Sequence, residues 1–490
     1  MDQRVNPAPI PDVGDMPPDE FRRYGHRLVD WVADYLENIE RFPVLPEVQP
    51  GDLRRSLPAL PPQHPEAMDQ ILADVDRFIM PAMTHWNHPR FHAYFNSSAS
   101  SPGILGELLS AAFNANGMVW LSCPAVTELE EVTLDWLRQM LRLPKEFWGM
   151  ILDTASTSTL HGIAAAREAL VDLKIRERGM EGRSDVPKLR VYMSELAHSS
   201  VEKATIALGF GIDGAGKVPV DKEFRMRPDA LADMIAKDRR AGVRPFCVVA
   251  TVGTTSCTSI DPVPAIADIC EREGLWLHVD AAYGGAAAII PEMRYIFDGC
   301  NRADSLVINP HKWMFVPVDL SVLYTRKPEI MRRAFSFVPE YLRTAHDDVV
   351  HNLMDYGVPL GRRFRALKLW FVLRYFGWDG LVARLREHLR LAQLFAGWVD
   401  ASPDFERLAQ VQFGTVCFRA HPKGVDDEQA LNELNEKLLS AVNSSRETFL
   451  SQTKLGTRYT LRMVVGHIRT KEAHVRQAWD LVQRKLKAIR

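Results

Sequence analysis

Between Trp86 and Arg326, short β-branched runs alternate with helical stretches, and no other feature limits the fold of this chain as tightly. Strands joined through helices pair in parallel, because a parallel pair needs a crossover of a dozen or more residues. The spacing predicts strands over Leu189–Met193, Phe246–Thr251, Leu275–Val279, Ser305–Ile308 and Ser321–Tyr324. Helices are expected between them over Ser199–Ala207, Pro228–Ala241 and Val263–Glu273. The expected core is therefore an α/β domain built on a mainly parallel sheet.

The flanks follow other rules. Leu28, Val29, Trp31, Val32, Tyr35, Leu36 and Ile39 recur at helical spacing, which predicts an amphipathic helix over Glu20–Ile39. Prolines from Pro43 to Pro65 then forbid a continuing helix and favour an extended arm. A second helix is expected over Met68–Met80. Two helices and an arm bury little alone, so this region is expected to pack on a neighbouring subunit as part of a homodimer. From Gly361 onward the pattern is helical, followed by strands over Gln412–Arg419 and Tyr459–Val465 and a last helix from Lys471. The expected division is an arm over 1–85, a large domain over 86–360 and a small α+β domain over 361–490.

Composition narrows the function. The 60 Lys+Arg and 62 Asp+Glu leave a net charge of -2, which gives no general attraction to nucleic acid or anionic membrane. Cys123, Cys247, Cys257, Cys270, Cys300 and Cys417 are scattered without a C-x-x-C pair, so reduced thiols and no zinc site are expected. The N-terminal segment has no apolar run of the secretory kind, and the small apolar stretch Ala281–Ile290 is too short to span a bilayer. A cytoplasmic location is expected.

Two segments carry the chemistry. HVDAAYGG begins where one apolar strand ends at His278, and NPHKW follows another strand at Asn309. The carboxyl ends of parallel strands form the ligand crevice of such sheets, so Asp280 and Lys312 are expected to face one site. A lysine taken alone is usually on the surface, and the aspartate that opens DAAYGGAA could cap a helix. Together at strand ends they match pyridoxal-phosphate (PLP) chemistry. The lysine holds the cofactor as a Schiff base, and the carboxylate keeps its pyridine nitrogen protonated.

With these residues in view, the chain resembles the group II PLP-dependent decarboxylases of fold type I, and among them the aromatic-amino-acid branch. The matching stretches run in order along nearly the whole chain: EFRRYGHRLVDWVADYLENIE, IMPAMTHWNHPRFHAYF, AHSSVEKA, VATVGTTS, LWLHVDAAYGGAA, INPHKW, PEYLRT and PLGRRFRALKLWFVLRYFG. The resemblance implies a PLP cofactor on Lys312, Asp280 at the pyridine nitrogen, His198 stacked on the ring and Ala282 against its other face. It implies that Ala155 and Ser156 hold the phosphate at a helix start, where free N–H groups and the helix dipole favour an anion. Thr255, Asn309 and His311 are further cofactor contacts by the same likeness. The stretch LPKEFWGMILDTAS that leads into this helix is shorter and poorer in glycine than the family's usual run.

For the substrate, Trp86, Tyr94 and Phe95 are similar to the family's aromatic pocket wall, although aromatic clusters are more often plain core. Asn116 and Met118 match positions through which one subunit of family dimers reaches into the other's site. Gly361 matches a position where plant relatives carry glycine for indoles and serine for phenols. Tyr341 matches the proton donor, within an expected lid over Phe335–Asp355. The implied reaction is decarboxylation of an aromatic L-amino acid to the aryl amine and carbon dioxide. Two alternatives share the scaffold: an aromatic aldehyde synthase, for which phenylalanine at position 341 would be the mark, and a histidine or acidic amino-acid decarboxylase, against which Tyr283 and Trp313 speak. A PLP-binding protein without activity would not need Lys312, Asp280, His198 and Tyr341 together.

Overall fold

The computed structural model describes residues 14–337 and 349–490. Its main sheet has seven strands: β1 Trp148–Leu152, β2 Leu189–Ser194, β3 Ala215–Val218, β4 Arg244–Thr251, β5 Trp276–Asp280, β6 Ser305–Ile308 and β7 Ser321–Thr325. They lie in the order β1-β7-β6-β5-β4-β2-β3. Neighbours pair in parallel from β6 through β5, β4 and β2 to β3, while β7 runs antiparallel to both β6 and β1. The reversal at β7 has a local cause. Residues 309–320 hold only a single helical turn, Pro310–Trp313, and do not cross back over the sheet.

The central strands are buried on both faces, as the continuous apolar run in β4 requires, with Val248 and Val249 fully enclosed. Each such side chain contributes about 1.5–3 kcal/mol by leaving water. β1 and β3 escape the sequence pattern because WGMIL and AGKV are short and hold few β-branched residues. The helix Ala155–Glu168 packs on β4, β5, β6 and β7. It lies close because Gly162 has no side chain: a Cβ there would sit 2.7 Å from His278 Nδ1.

A second sheet of four antiparallel strands follows: β8 Phe405–Arg407, β9 Thr415–Ala420, β10 Ser451–Leu455 and β11 Arg458–Val464, in the order β10-β11-β9-β8. Its core joins Val416, Phe418, Leu461 and Met463 to Leu438 and Trp479 of the helices Glu428–Asn443 and Glu472–Ile489. β8 and β10 are polar and short, so the alternation rule finds only β9 and β11. The long helix Arg365–Asp400, kinked at Gly377, reaches both sheets' surroundings through its contacts with Ser101–Phe113 and with β8 and β9.

The chain divides between His88 and Pro89. In the first unit the helix Pro18–Glu37 is tied to later residues by Tyr24 donating to Asp69 at 2.9 Å and Trp31 to Asp76 at 3.1 Å. The proline-rich arm contains a short helix, Asp52–Ser56, entered through Gly51 at a φ of 93°. The helix expected over Met68–Met80 ends as a regular α-helix at Asp74 and widens into a π-turn over Val75–Ile79. Pro81 supplies no N–H and crowds the carbonyl four residues before it, so regular α-helical bonding cannot continue there. Among the described residues no helix is long and apolar enough to cross a membrane, and the six cysteines form no disulfide.

Candidate active site

Five parallel strands deliver their carboxyl ends to one cavity of about 220 Å³. Ala155 and Ser156 follow β1, His198 follows β2, and Thr251 and Thr255 lie at and after the end of β4. Asp280 closes β5 with Ala282 and Tyr283 just beyond, and Asn309, His311 and Lys312 follow β6. Phe95 completes the wall. The turn after β4 depends on Gly253, whose φ of 93° few side chains tolerate and whose Cβ would meet Gly284 N at 3.2 Å.

The local bonds fix orientation. Asp280 Oδ1 accepts from the Ala282 N–H at 3.0 Å, which holds the carboxylate at the strand end. The Ser200 N–H donates to His198 Nδ1 at 3.2 Å, so a neutral His198 carries its proton on Nε2. His311 Nδ1 likewise accepts from the Leu320 N–H at 2.9 Å. Lys312 Nζ stands 5.4 Å from the centre of the Phe95 ring.

Burial lowers the Lys312 pKa, with the nearby Asp280 charge pulling the other way. A lysine so placed offers more neutral amine, the form that attacks a carbonyl. Burial also lowers His198, which Asp280 opposes and Lys312 reinforces, and it brings His311 down to about 4.

These residues fit a PLP cofactor. An amine and a carboxylate face one space, and the Ala155–Glu168 helix aims the N–H groups of its first turn toward it, which have no acceptor within the helix. Among the described residues, Thr251 Oγ1 and the Asn309 amide oxygen have no partner although both are buried, as a polar ligand would require. Ala282 brings only a methyl group to the wall, leaving the width a planar ring needs.

Of the residues singled out in the sequence, Ala155, Ser156, His198, Thr255, Asp280, Ala282, Asn309, His311, Lys312 and Phe95 line this cavity. Tyr94, the neighbour of Phe95, does not line the cavity and packs edge-on against Phe449. Trp86 belongs to the first unit. Asn116, Met118 and Gly361 form a separate cluster that does not line the cavity in the same chain: the Arg362 N–H donates to Asn116 Oδ1 at 2.9 Å, and Asn116 Nδ2 lies 3.9 Å from Met118 Sδ. Tyr341 lies outside the described residues. Sequence reasoning passed over Thr154, Thr251, Gly253 and Tyr283 as lining residues, although each follows or ends a strand and could have been found by that position.

Residues 50–421 match the family described as the pyridoxal-dependent decarboxylase conserved domain. An aromatic-L-amino-acid decarboxylase of Rattus norvegicus is 41% identical over 475 residues, 95% of this chain and 97% of its own. A phenylacetaldehyde synthase of Arabidopsis thaliana is also 41% identical, over 96% of each chain. The crystal structure of Oryza sativa TDC with PLP and tryptamine superposes with a TM-score of 0.93 at 36% identity, covering 97% of this chain and 99% of that one. With its fold, its strand-end cavity and these likenesses in agreement, the chain belongs to the pyridoxal-dependent decarboxylase family.

Proposed function

We propose that this chain is a PLP-dependent carboxy-lyase that converts an aromatic L-amino acid and a proton to the aryl amine and carbon dioxide. The observation that carries the reading is the single cavity in which Lys312 and Asp280 share a wall with the stacked rings of Phe95 and Tyr283, 3.8 Å apart. PLP, when bound, supplies an acceptor for the electron pair that the departing carboxylate leaves behind. Lys312 holds the cofactor through its amine, and Asp280 stabilises positive charge on the ring nitrogen in a site shielded from water. His198 and Ala282 bracket the ring, Ala155 and Ser156 hold the phosphate, and Thr255, Asn309 and His311 add further contacts. Tyr341 gives the proton to the α-carbon.

The working form is a cytoplasmic homodimer. Exposed apolar residues on Pro18–Glu37 (Phe21, Leu28 and Val29) and on Ser101–Phe113 (Leu105, Leu108 and Phe113) support an interface, since a monomer gains nothing by leaving them in water. Asn116 and Gly361 are exposed, as residues that complete a neighbouring subunit's cavity must be. The arm over 1–85, the large domain over 86–360 and the small domain over 361–490 are the units of this assembly.

The test is a substrate panel. Purified protein with PLP is given L-tryptophan, L-tyrosine, L-phenylalanine, L-DOPA and L-histidine, and amine, aldehyde and carbon dioxide are measured. Amine matched by carbon dioxide from an aromatic substrate is the expected result. Aldehyde with hydrogen peroxide would assign the protein to the synthases, and activity on histidine alone would displace the aromatic assignment.

A further inference from the structure

Trp313 follows Lys312 in the turn Pro310–Trp313 and is wholly buried. Its indole N–H donates to His388 Nδ1 at 3.0 Å, and His388 Nε2 lies 3.1 Å from the His467 carbonyl oxygen. A carbonyl only accepts, so Nε2 carries the proton and Nδ1 offers the lone pair. Protonation would remove the Nδ1 lone pair that accepts from the indole, and burial holds this imidazole at about 4, so the arrangement persists at neutral pH.

The same indole heads a column of rings. His388 lies edge to edge with Trp313 in nearly the same plane, at 6.4 Å and 6°, while Trp313 stacks on Tyr283 at 4.8 Å and 11° and Tyr283 on Phe95 at 3.8 Å and 8°. Phe413 meets both Trp313 and Tyr283 edge-on, which prevents the column from sliding. His388 therefore reaches the cavity by two routes: one bond of chain from Trp313 to Lys312, and the stack from Trp313 to the wall residues Tyr283 and Phe95.

We infer that His388, on the helix Arg365–Asp400, is a positioning residue of the reaction: by fixing the Trp313 indole it sets the direction of Lys312 and the plane of the cavity's aromatic wall. It touches neither cofactor nor substrate. An indole N–H buried without an acceptor is costly, and rotation is its only relief. That rotation would turn the ring out of the column and drag the Lys312 turn with it. The inference rests on the reading of Lys312 as the cofactor anchor.

Three single variants of the full chain and one double variant test it. His388→Gln keeps an acceptor for the indole and a donor for the His467 carbonyl, His388→Leu keeps neither, and Trp313→Phe keeps a ring but loses the N–H. Affinity of the apoenzyme for PLP is read by quenching of tryptophan fluorescence, and kcat and KM for L-tryptophan are measured separately. His388→Leu should weaken PLP binding and lower kcat, each by roughly 10-fold or more, with a smaller change in KM. His388→Gln should recover most of both. The double variant His388→Leu with Trp313→Phe should lose no more than either single one, because all three break the same bond. Parental PLP affinity and kcat in His388→Leu, equal losses in Gln and Leu, or additive losses in the double variant would each overturn the inference in favour of plain packing. Should His388→Leu fail to fold, Trp313→Phe decides by the same two readouts. A parent with no activity on aromatic amino acids would sink the proposed function alone, since the PLP affinities would still rank the variants.

Discussion

Lys312 and Tyr341 are the residues on which the proposed chemistry turns. Lys312 is one lysine among many, yet it alone among the described cavity-lining residues carries an amine, and burial favours its neutral form. Lys312→Ala should abolish turnover and stop borohydride from fixing the cofactor to the chain, while the circular dichroism of the fold is retained. Cofactor still fixed to the variant chain by borohydride would show that another lysine is the anchor. Tyr341→Phe keeps the ring and removes only the proton-bearing hydroxyl. Without that proton, the electron-rich carbon stays open to dissolved oxygen. The substrate then takes up oxygen and water and yields aldehyde, carbon dioxide, ammonia and hydrogen peroxide in place of amine. Product analysis under air separates the readings: amine at the parental rate without aldehyde would mean that another group, such as His198 or water, supplies the proton.

At the scale of elements, the segment that carries Gly361 is pinned to three others. The Arg362 N–H donates to Asn116, the Gly117 N–H donates to the Arg362 carbonyl at 2.9 Å, and the buried Arg362 guanidinium binds Glu130 at 2.6 Å and the Ile151 carbonyl at 3.0 Å. Losing one partner of such a buried pair typically costs about 3–5 kcal/mol. The backbone at Gly361 is thus held firmly, and a side chain added there changes shape without shifting the segment. A Cβ would lie 3.6 Å from Asn116 Nδ2, an ordinary contact. Gly361→Ser should therefore fold normally and move preference from indolic toward phenolic substrates by ~1–3 kcal/mol, the usual worth of such a misfit. The ratio of kcat/KM for tryptophan and tyrosine measures it, and an unchanged ratio would remove Gly361 from the substrate pocket.

For the whole molecule, assembly and acid sensitivity follow from what is buried. Removal of residues 1–80 should give insoluble or inactive protein, because the apolar faces these residues cover in the proposed dimer would be left in water. A soluble and fully active monomer in sedimentation would contradict the exchanged arm. Burial also holds His92, His161, His278, His311 and His388 at about 4, against 6.5 when unfolded. Between pH 6.5 and 4 the unfolded chain binds the extra protons, so stability falls as pH falls through this window and levels off below it. Each histidine accounts for roughly 2 kcal/mol by pH 5. Asp261, raised to about 6 by burial, runs the other way, but between pH 7 and 5 it returns only about 1 kcal/mol. The urea midpoint should accordingly be clearly lower at pH 5 than at pH 7, and an equal or higher midpoint would show that these imidazoles are not buried neutral.

The sequence by itself determined the alternating architecture and the chemistry at its strand ends. β2, β4, β5 and β6 announce themselves because their side chains are buried on both faces and read as apolar runs, and Asp280 and Lys312 follow two of those runs directly. Residue type and local spacing carry that information, and both are printed in the chain. Tertiary structure alone decided the rest. It placed β1 and β3 at the sheet edges. It also joined Asn116 to the segment that carries Gly361, stacked Phe95, Tyr283 and Trp313 into one column, and set His388 against the edge of the indole. These partners lie tens to hundreds of positions apart. Their meeting depends on strand order and helix placement, which periodicity does not encode, because a stack or a hydrogen bond across the fold leaves no repeat in the residues that make it.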